Sequence, residues 1–265
     1  MTRFTEDACL EVLESHGFTK AILVEHNDDF LLFQCLKGKS ENAVKCYSLQ
    51  THEHEYKTEA MMLQYLDHPN IITFREAHRN KHIGIIATEW MECDMMEMLQ
   101  TTTIKPEMHI RIFQQVCSAV EYIHSKGIAH LDIRPENVWI ERGTAKLVDF
   151  AVAQSFDDNC STRHCGTLFY CAPKIIKKRP YLPPKADIWS LGILLHVLLT
   201  KSWPYCGTTK EEMEESVRSS KITFNLGHLS NQATSLIDRM LDPDPMFRPT
   251  ITEVLHDSWF TSLGN

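Results

Sequence analysis

The sequence predicts an α+β fold in two lobes, a small N-terminal antiparallel sheet with one helix followed by a larger, mainly helical C-terminal lobe. Three observations carry this. Short β-prone runs separated by polar turns crowd residues 19–47. An apolar stripe at helical spacing runs from Ile110 to Ile123. Residues 186–200, ADIWSLGILLHVLLT, are apolar on nearly every side. The 265 residues suffice for one large domain or two packed lobes with a buried core, so a whole domain is expected, not a fragment.

In chain order, Thr19 to Val24, Phe30 to Leu36 and Ala43 to Tyr47 read as an antiparallel meander, so a small sheet comes first. Residues 53–66 show helical spacing, and His68-Pro69-Asn70 ends that helix. Ile71 to Glu76 and Ile83 to Thr88 add two strands. From about Pro106 the pattern turns helical, with Ile110, Phe113, Cys117, Val120 and Ile123 on one stripe that stops near Gly127. The 186–200 segment reads as a helix inside the second lobe, too short and too polar at its start for a membrane span. No internal repeat or low-complexity tract interrupts this order.

An apolar fraction of 43% with 23% charged residues excludes disordered and fibrous classes. Net charge is −8, from 35 acids against 27 bases, and neither sign forms a long run. Nucleic acid and membrane surfaces are therefore not expected partners, and the acidic balance points to basic peptides. The opening MTRFTEDACLEVLESHGF sets acids among its apolar residues, unlike a signal peptide. Nine cysteines and fourteen histidines are scattered without metal-ligand spacing, which suits reduced thiols in a cytoplasmic protein and ordinary packing or surface roles for both residue types.

The segment His130-Leu131-Asp132-Ile133-Arg134-Pro135-Glu136-Asn137 resembles the catalytic loop of protein kinases, usually H-R-D-L-K-P-E-N. A lone Asp-x4-Asn would mean nothing; its weight comes from the other motifs, each in the expected order. Asp149-Phe150-Ala151 follows the run Lys146-Leu147-Val148, where kinases carry D-F-G. Ala43-Val44-Lys45 looks like the strand whose lysine grips the α- and β-phosphates. Glu59, ten residues before Pro69, stands where the family pairs a glutamate with that lysine, and Glu55 is its less suitable substitute. Gly166 to Pro173 resembles the substrate-docking segment, Asp187-Ile188-Trp189-Ser190-Leu191-Gly192 the helix anchoring the catalytic loop, and Arg248-Pro249 completes the set.

The resemblance implies a single protein-kinase-like domain over residues 1–265, with residues 1–91 as N-lobe including the hinge and 92–265 as C-lobe. It implies ATP and Mg²⁺ as cofactors and Ser/Thr side chains of proteins or peptides as acceptors. Asp132 would orient the acceptor hydroxyl, Arg134 contact the transferred phosphate, and Asn137 and Asp149 hold the metal. Lys45, paired to Glu59, would position ATP, with Ala43, Thr88, Glu89, Met91 and Trp139 around the adenine. The hinge contact would use the backbone of Glu89 and Met91. Phe150, His130, Leu63 and Phe74 fall where the family stacks an apolar spine; Lys45 with Glu59 could form an ordinary surface pair contributing about 1 kcal/mol at most, but the surrounding motifs favour the phosphate-binding role. The Gly166-Thr167 form and the ending Arg248-Pro249-Thr250 to Trp259 resemble the calmodulin-dependent kinase group, and DACLEVLESHGF, Cys165-Gly166-Thr167 and PYLPPKADIWSLGILLHVLL are most similar to testis-specific serine/threonine kinases. The catalytic loop also resembles that of the giant muscle kinases.

Six departures from the family pattern bear on activity. The first turn reads Glu25-His26-Asn27-Asp28-Asp29 where the family has glycines, so three carboxylates would face a polyanion and weaken nucleotide binding. Trp139 either fills the adenine pocket or stacks on the base. Leu131 replaces the arginine that pairs with a phosphorylated loop, so activity is expected to be independent of phosphate on Ser161 or Thr162. Arg134 replaces a lysine, keeping charge but changing geometry. Lys174 replaces the glutamate whose usual partner is Arg248, setting two cations where an ion pair stood; Ala151 for glycine is the mildest change. A phosphotransferase is the expected function and a pseudokinase, binding or scaffolding without transfer, the alternative. Transfer to a small molecule is opposed by the peptide-docking segment.

Overall fold

The computed structural model describes residues 4–157, 159–205, 207, 209–219 and 229–261. The chain divides into two compact units, Met1–Glu92 and Cys93–Asn265.

In the first unit, helix α1 (Glu6–Ser15) precedes strands β1 (Thr19–His26), β2 (Phe30–Lys37) and β3 (Ser40–Ser48), helix α2 (Glu53–Tyr65), and strands β4 (Phe74–Arg79) and β5 (Ile83–Glu89). The strands form one antiparallel sheet in the order β1-β2-β3-β5-β4. The sequence reading places a sheet first and has no α1. Thr5 caps that helix by accepting the Ala8 N–H, Glu6 and Asp7 complement the positive end of its dipole, and Ala8, Cys9, Val12 and Leu13 form its buried stripe. That stripe packs on Leu31, Phe33, Cys35, Val44, Cys46 and Ile85 from one face of the sheet. Burial pushes the Cys35 thiol up to about 12, and the hydrogen bond that the Cys46 thiol donates to Cys9, with burial behind it, raises that of Cys46. The strand expected at Ile71 to Glu76 begins instead at Phe74. Ile71 and Ile72 are both buried, and the Ile71 N–H closes a turn on the His68 carbonyl at 3.0 Å ahead of the strand.

The second unit holds β6 (Cys93–Asp94), α3 (Met95–Thr101), α4 (Pro106–Ser125), β7 (Ile128–Ala129), β8 (Val138–Glu141), β9 (Thr144–Leu147), β10 (Gln154–Ser155), α5 (Pro173–Ile176), α6 (Pro183–Thr200), α7 (Lys210–Arg218), α8 (Asn231–Met240) and α9 (Ile251–Leu255). Two small sheets, β6-β8-β9 and β10-β7, frame the loop that follows β7. On α4 the expected Phe113, Cys117, Val120 and Ile123 are buried, whereas Ile110 is only half-buried and Ile112, Val116 and Ala119 supply a second row. Helix α6 is buried continuously from Ala186 to Leu198, as its all-round apolar sequence requires. Gly192 lets it lie against α8, because a Cβ there would come within 2.8 Å of the Leu241 side chain. No helix among the described residues is long and apolar enough to cross a membrane.

Candidate active site

In the first unit, alternation along β3 turns Val44 and Cys46 toward α1 and leaves Lys45 and Tyr47 together on the other face. Lys45 is 9% exposed and Glu59 of α2 3%, with Nζ and Oε2 3.4 Å apart. This is a buried pair, where the sequence also allowed a surface one, and it falls to Glu59; Glu55 is half-buried one turn earlier. The Lys45 ammonium lies 4.1 Å from the Phe30 ring centroid and 5.2 Å from that of Tyr47, a cation–π setting for a largely desolvated charge. The Tyr47 hydroxyl donates to the same Glu59 oxygen. Sequence reasoning missed both aromatic rings, although Tyr47 stands two residues after the lysine and therefore on its face.

Ala43 is half-buried and lies in register with Thr88. The Thr88 hydroxyl donates to the Glu89 carbonyl at 3.2 Å. Glu89 is tied twice to Thr73, donating its N–H to the Thr73 carbonyl and accepting the Thr73 N–H on Oε1. Met91 is buried. The glycine-free turn between β1 and β2 is closed by Asn27. Its Oδ1 accepts the N–H groups of Asp29 and Phe30, both at 2.9 Å, while its own N–H donates to the Phe30 carbonyl. Two of the three carboxylates in this turn have partners. Glu25 accepts from the Asn27 amide, and Asp29 lies 3.1 Å from His52 Nε2.

In the second unit, the loop after β7 is hung on Asp187 of α6, whose oxygens accept the N–H groups of His130 and Leu131 at 2.9 and 2.8 Å. His124 adds a third contact to the same carboxylate at 2.8 Å. His130 accepts the Asp132 N–H on Nδ1, so its proton sits on Nε2, which donates to the Val148 carbonyl at 2.9 Å. Its ring meets Phe150 edge-on, centroids 4.8 Å apart, the part of the expected apolar spine that falls in this unit. Leu63 is buried and Phe74 half-buried within the first unit.

Asp132 is held at every oxygen. Oδ1 accepts the N–H and hydroxyl of Thr167 at 2.9 and 2.8 Å, and Oδ2 accepts from Asn137 Nδ2 at 2.9 Å. The same amide nitrogen donates to the Asp132 carbonyl, leaving the Asn137 oxygen turned the other way. Arg134 donates to the Thr167 hydroxyl at 2.7 Å and to Glu136 at 3.0 Å. The Val148 N–H bonds the Asn137 carbonyl and extends the β8–β9 ladder, so Asp149 is the next residue after the one that faces Asn137 at its end. Asp149 has φ 60, and the strain sits there and not on Ala151, which is outside the left-handed region; the alanine therefore costs the backbone nothing. Gly166 has φ +87, and a Cβ on it would lie 2.4 Å from the Leu131 carbonyl oxygen.

A sequence model of the protein kinase domain matches residues 32–260. The chain belongs to the protein kinase family. Its relatives are serine/threonine kinases that include the calmodulin-dependent group. It is 34% identical to calcium-dependent protein kinase 6 of Plasmodium berghei over 94% of this chain and 17% of that protein. It is 33% identical to CBL-interacting serine/threonine-protein kinase 3 of Arabidopsis thaliana over 78% and 48%, and 31% identical to sperm motility kinase Z of Mus musculus over 94% and 49%. The chain thus spans less than half the length of each.

The remaining departures from the kinase pattern can be placed in the second unit. Leu131 is buried, with φ 67. The segment ahead of Gly166 is fastened to Tyr181, with which Ser161 exchanges backbone hydrogen bonds at 2.8 and 3.0 Å. The Ser161 hydroxyl is buried, donating to Gln154 and accepting the Arg163 N–H. Thr162 is exposed. Arg248, with no acid side chain in hydrogen-bond contact among the described residues, donates to the carbonyls of Asp242 and Lys185 at 2.8 and 2.9 Å and stacks 4.9 Å from the Trp189 ring centroid. Burial lowers its pKa to about 10 against the pull of Asp242 and Asp244. Carbonyl dipoles and an aromatic face have taken over from the missing glutamate, and Lys174 stays half-buried on α5. Trp139 is half-buried on β8, in register with Asp94 and Lys146.

Proposed function

We propose that residues 1–265 form a kinase domain, its first lobe ending about residue 91, that transfers the γ-phosphoryl group of ATP to Ser/Thr hydroxyls of protein substrates, with weak nucleotide binding. The observation that carries this is the fixed carboxylate of Asp132. Thr167 and Asn137 aim it before any substrate arrives, and this preorganisation is what in-line transfer demands of a protein. Arg134 is steadied by Thr167 and Glu136 and brings a positive charge to the same loop. The donors suit Mg²⁺, since the Asn137 amide oxygen and the Asp149 carboxylate are hard ligands on neighbouring chain segments. Bound Mg·ATP supplies the activated phosphoryl group with part of its charge neutralised. In the first lobe Lys45, backed by Glu59, binds phosphate oxygens, and Ala43, Thr88, Glu89 and Met91, with Trp139 from the second lobe, receive the adenine. Basic peptides in the cytoplasm fit the acidic balance of the chain.

A second reading, a pseudokinase that binds partners without transferring phosphate, is favoured by Asn27, whose side chain already occupies the Asp29 and Phe30 amides that a phosphate would need. Transfer from labelled Mg·ATP to a generic basic protein decides between the two. For wild type against Asp132→Asn, the expected loss is about 10²- to 10⁴-fold, the usual weight of a positioned acid–base group. Folded wild type that incorporates no more label than the mutant would leave only the pseudokinase.

A further inference from the structure

We infer that Tyr47 is a positioning residue that holds Glu59 in place for Lys45; this rests on the phosphate-binding role proposed above for that pair. Tyr47 is 1% exposed. Its ring stands between Phe30 and Tyr56, with centroids 6.2 Å from each, and Tyr56 is itself pinned by donating to the His78 carbonyl at 3.0 Å. Register fixes this arrangement, because Phe30 is the residue of β2 opposite Tyr47 and Leu32 the one opposite Lys45. The phenol has little freedom to turn, and its hydroxyl reaches across to α2 to donate to Glu59 Oε2, the oxygen that also faces Lys45.

The carboxylate therefore has two anchors on one strand, a neutral donor two residues along from a charged one. The Lys45 contact at 3.4 Å is longer than a good charge-assisted hydrogen bond, so it specifies direction poorly. The phenol supplies the missing direction. It keeps Glu59 beneath the ammonium while Phe30 covers the ammonium from another side. Tyr47 touches no nucleotide in this account and acts only through Glu59 and Lys45.

The test is Tyr47→Phe, which keeps the ring and removes the hydroxyl. We expect kcat/KM for Mg·ATP to fall about tenfold, the weight of one hydrogen bond to a charged group, through KM for Mg·ATP and with KM for the peptide unchanged. Combined with Glu59→Gln the loss should not add, since both changes break one linkage. Unchanged Mg·ATP kinetics in an active enzyme, or full additivity, overturns the inference while leaving the kinase reading intact. If wild type transfers no phosphate, that reading fails instead, and acylation of Lys45 by an amine reagent, followed by mass spectrometry, judges Tyr47 alone. Severalfold faster labelling in Tyr47→Phe supports the inference and an equal rate refutes it. Should Tyr47→Phe not fold, Glu59→Gln, whose amide oxygen still accepts the phenol, is expected to melt well above Glu59→Leu; equal melting temperatures would show that the phenol holds nothing.

Discussion

The β1–β2 turn and the catalytic loop are both short irregular segments with a charged task, and they are built by opposite means. The loop borrows its rigidity from elsewhere: Asp187 of α6 holds its backbone, Thr167 and Asn137 hold its aspartate, and Gly166 passes so close that no side chain fits. The turn is self-contained. Asn27 satisfies its amides locally, and the one link outward among the contacts above is Asp29 to His52. A segment supported by distant elements tolerates few changes, while a self-closed turn drifts in composition so long as it still closes. Both segments depart from the family pattern, but in the loop Leu131 and Arg134 change around an unaltered Asp132 and Asn137, whereas the turn carries none of the family's glycines.

The largest effect expected from this contrast is at Gly166. Alanine there adds left-handed strain and drives a Cβ into the Leu131 carbonyl, and a displacement of this kind costs about 100-fold in kcat. A Gly166→Ala enzyme with normal turnover would mean the loop is not rigidly supported. The turn should respond in the other direction. Asn27→Gly with Asp29→Gly frees two amides and removes one carboxylate, so Mg·ATP affinity measured by calorimetry should rise about tenfold at low salt and less at high salt. An unchanged affinity would remove the turn from the phosphate site. The smallest effect is at Ser161, where Ser161→Ala should cost about 1 kcal/mol of stability through its lost hydrogen bonds yet leave peptide phosphorylation within about twofold. A collapse of activity would show that the segment relies on phosphate there after all.

The catalytic loop was legible because its chemistry tolerates few residue types at fixed spacing, and the buried helix α6 because its apolar residues leave no polar face. The sheet was legible apart from the start of β4, where the buried Ile71 and Ile72 have the composition of a strand but form a turn with His68 ahead of it. Helix α1 escaped notice because its stripe is only four residues wide; Thr5 followed by Glu6 and Asp7 was the available signal, a cap with acids in the first turn. Tyr47 and Asn27 escaped for another reason. Each acts through a hydrogen bond whose acceptor or donor is chosen by tertiary placement or turn conformation, and their residue types alone carry no such instruction.

The layer of sulfur beneath α1 has a kinetic consequence. Cys9, Cys35 and Cys46 have next to no exposed surface, and the raised pKa values of Cys35 and Cys46 leave them almost wholly as thiols. Electrophiles consequently react there only during moments when the helix lifts and solvent enters. Their alkylation is therefore a clock for opening of that face, and Cys46 reports from the strand that carries Lys45 yet on its opposite side, so that the integrity of this wall of the domain can be followed without touching the chemistry of the other.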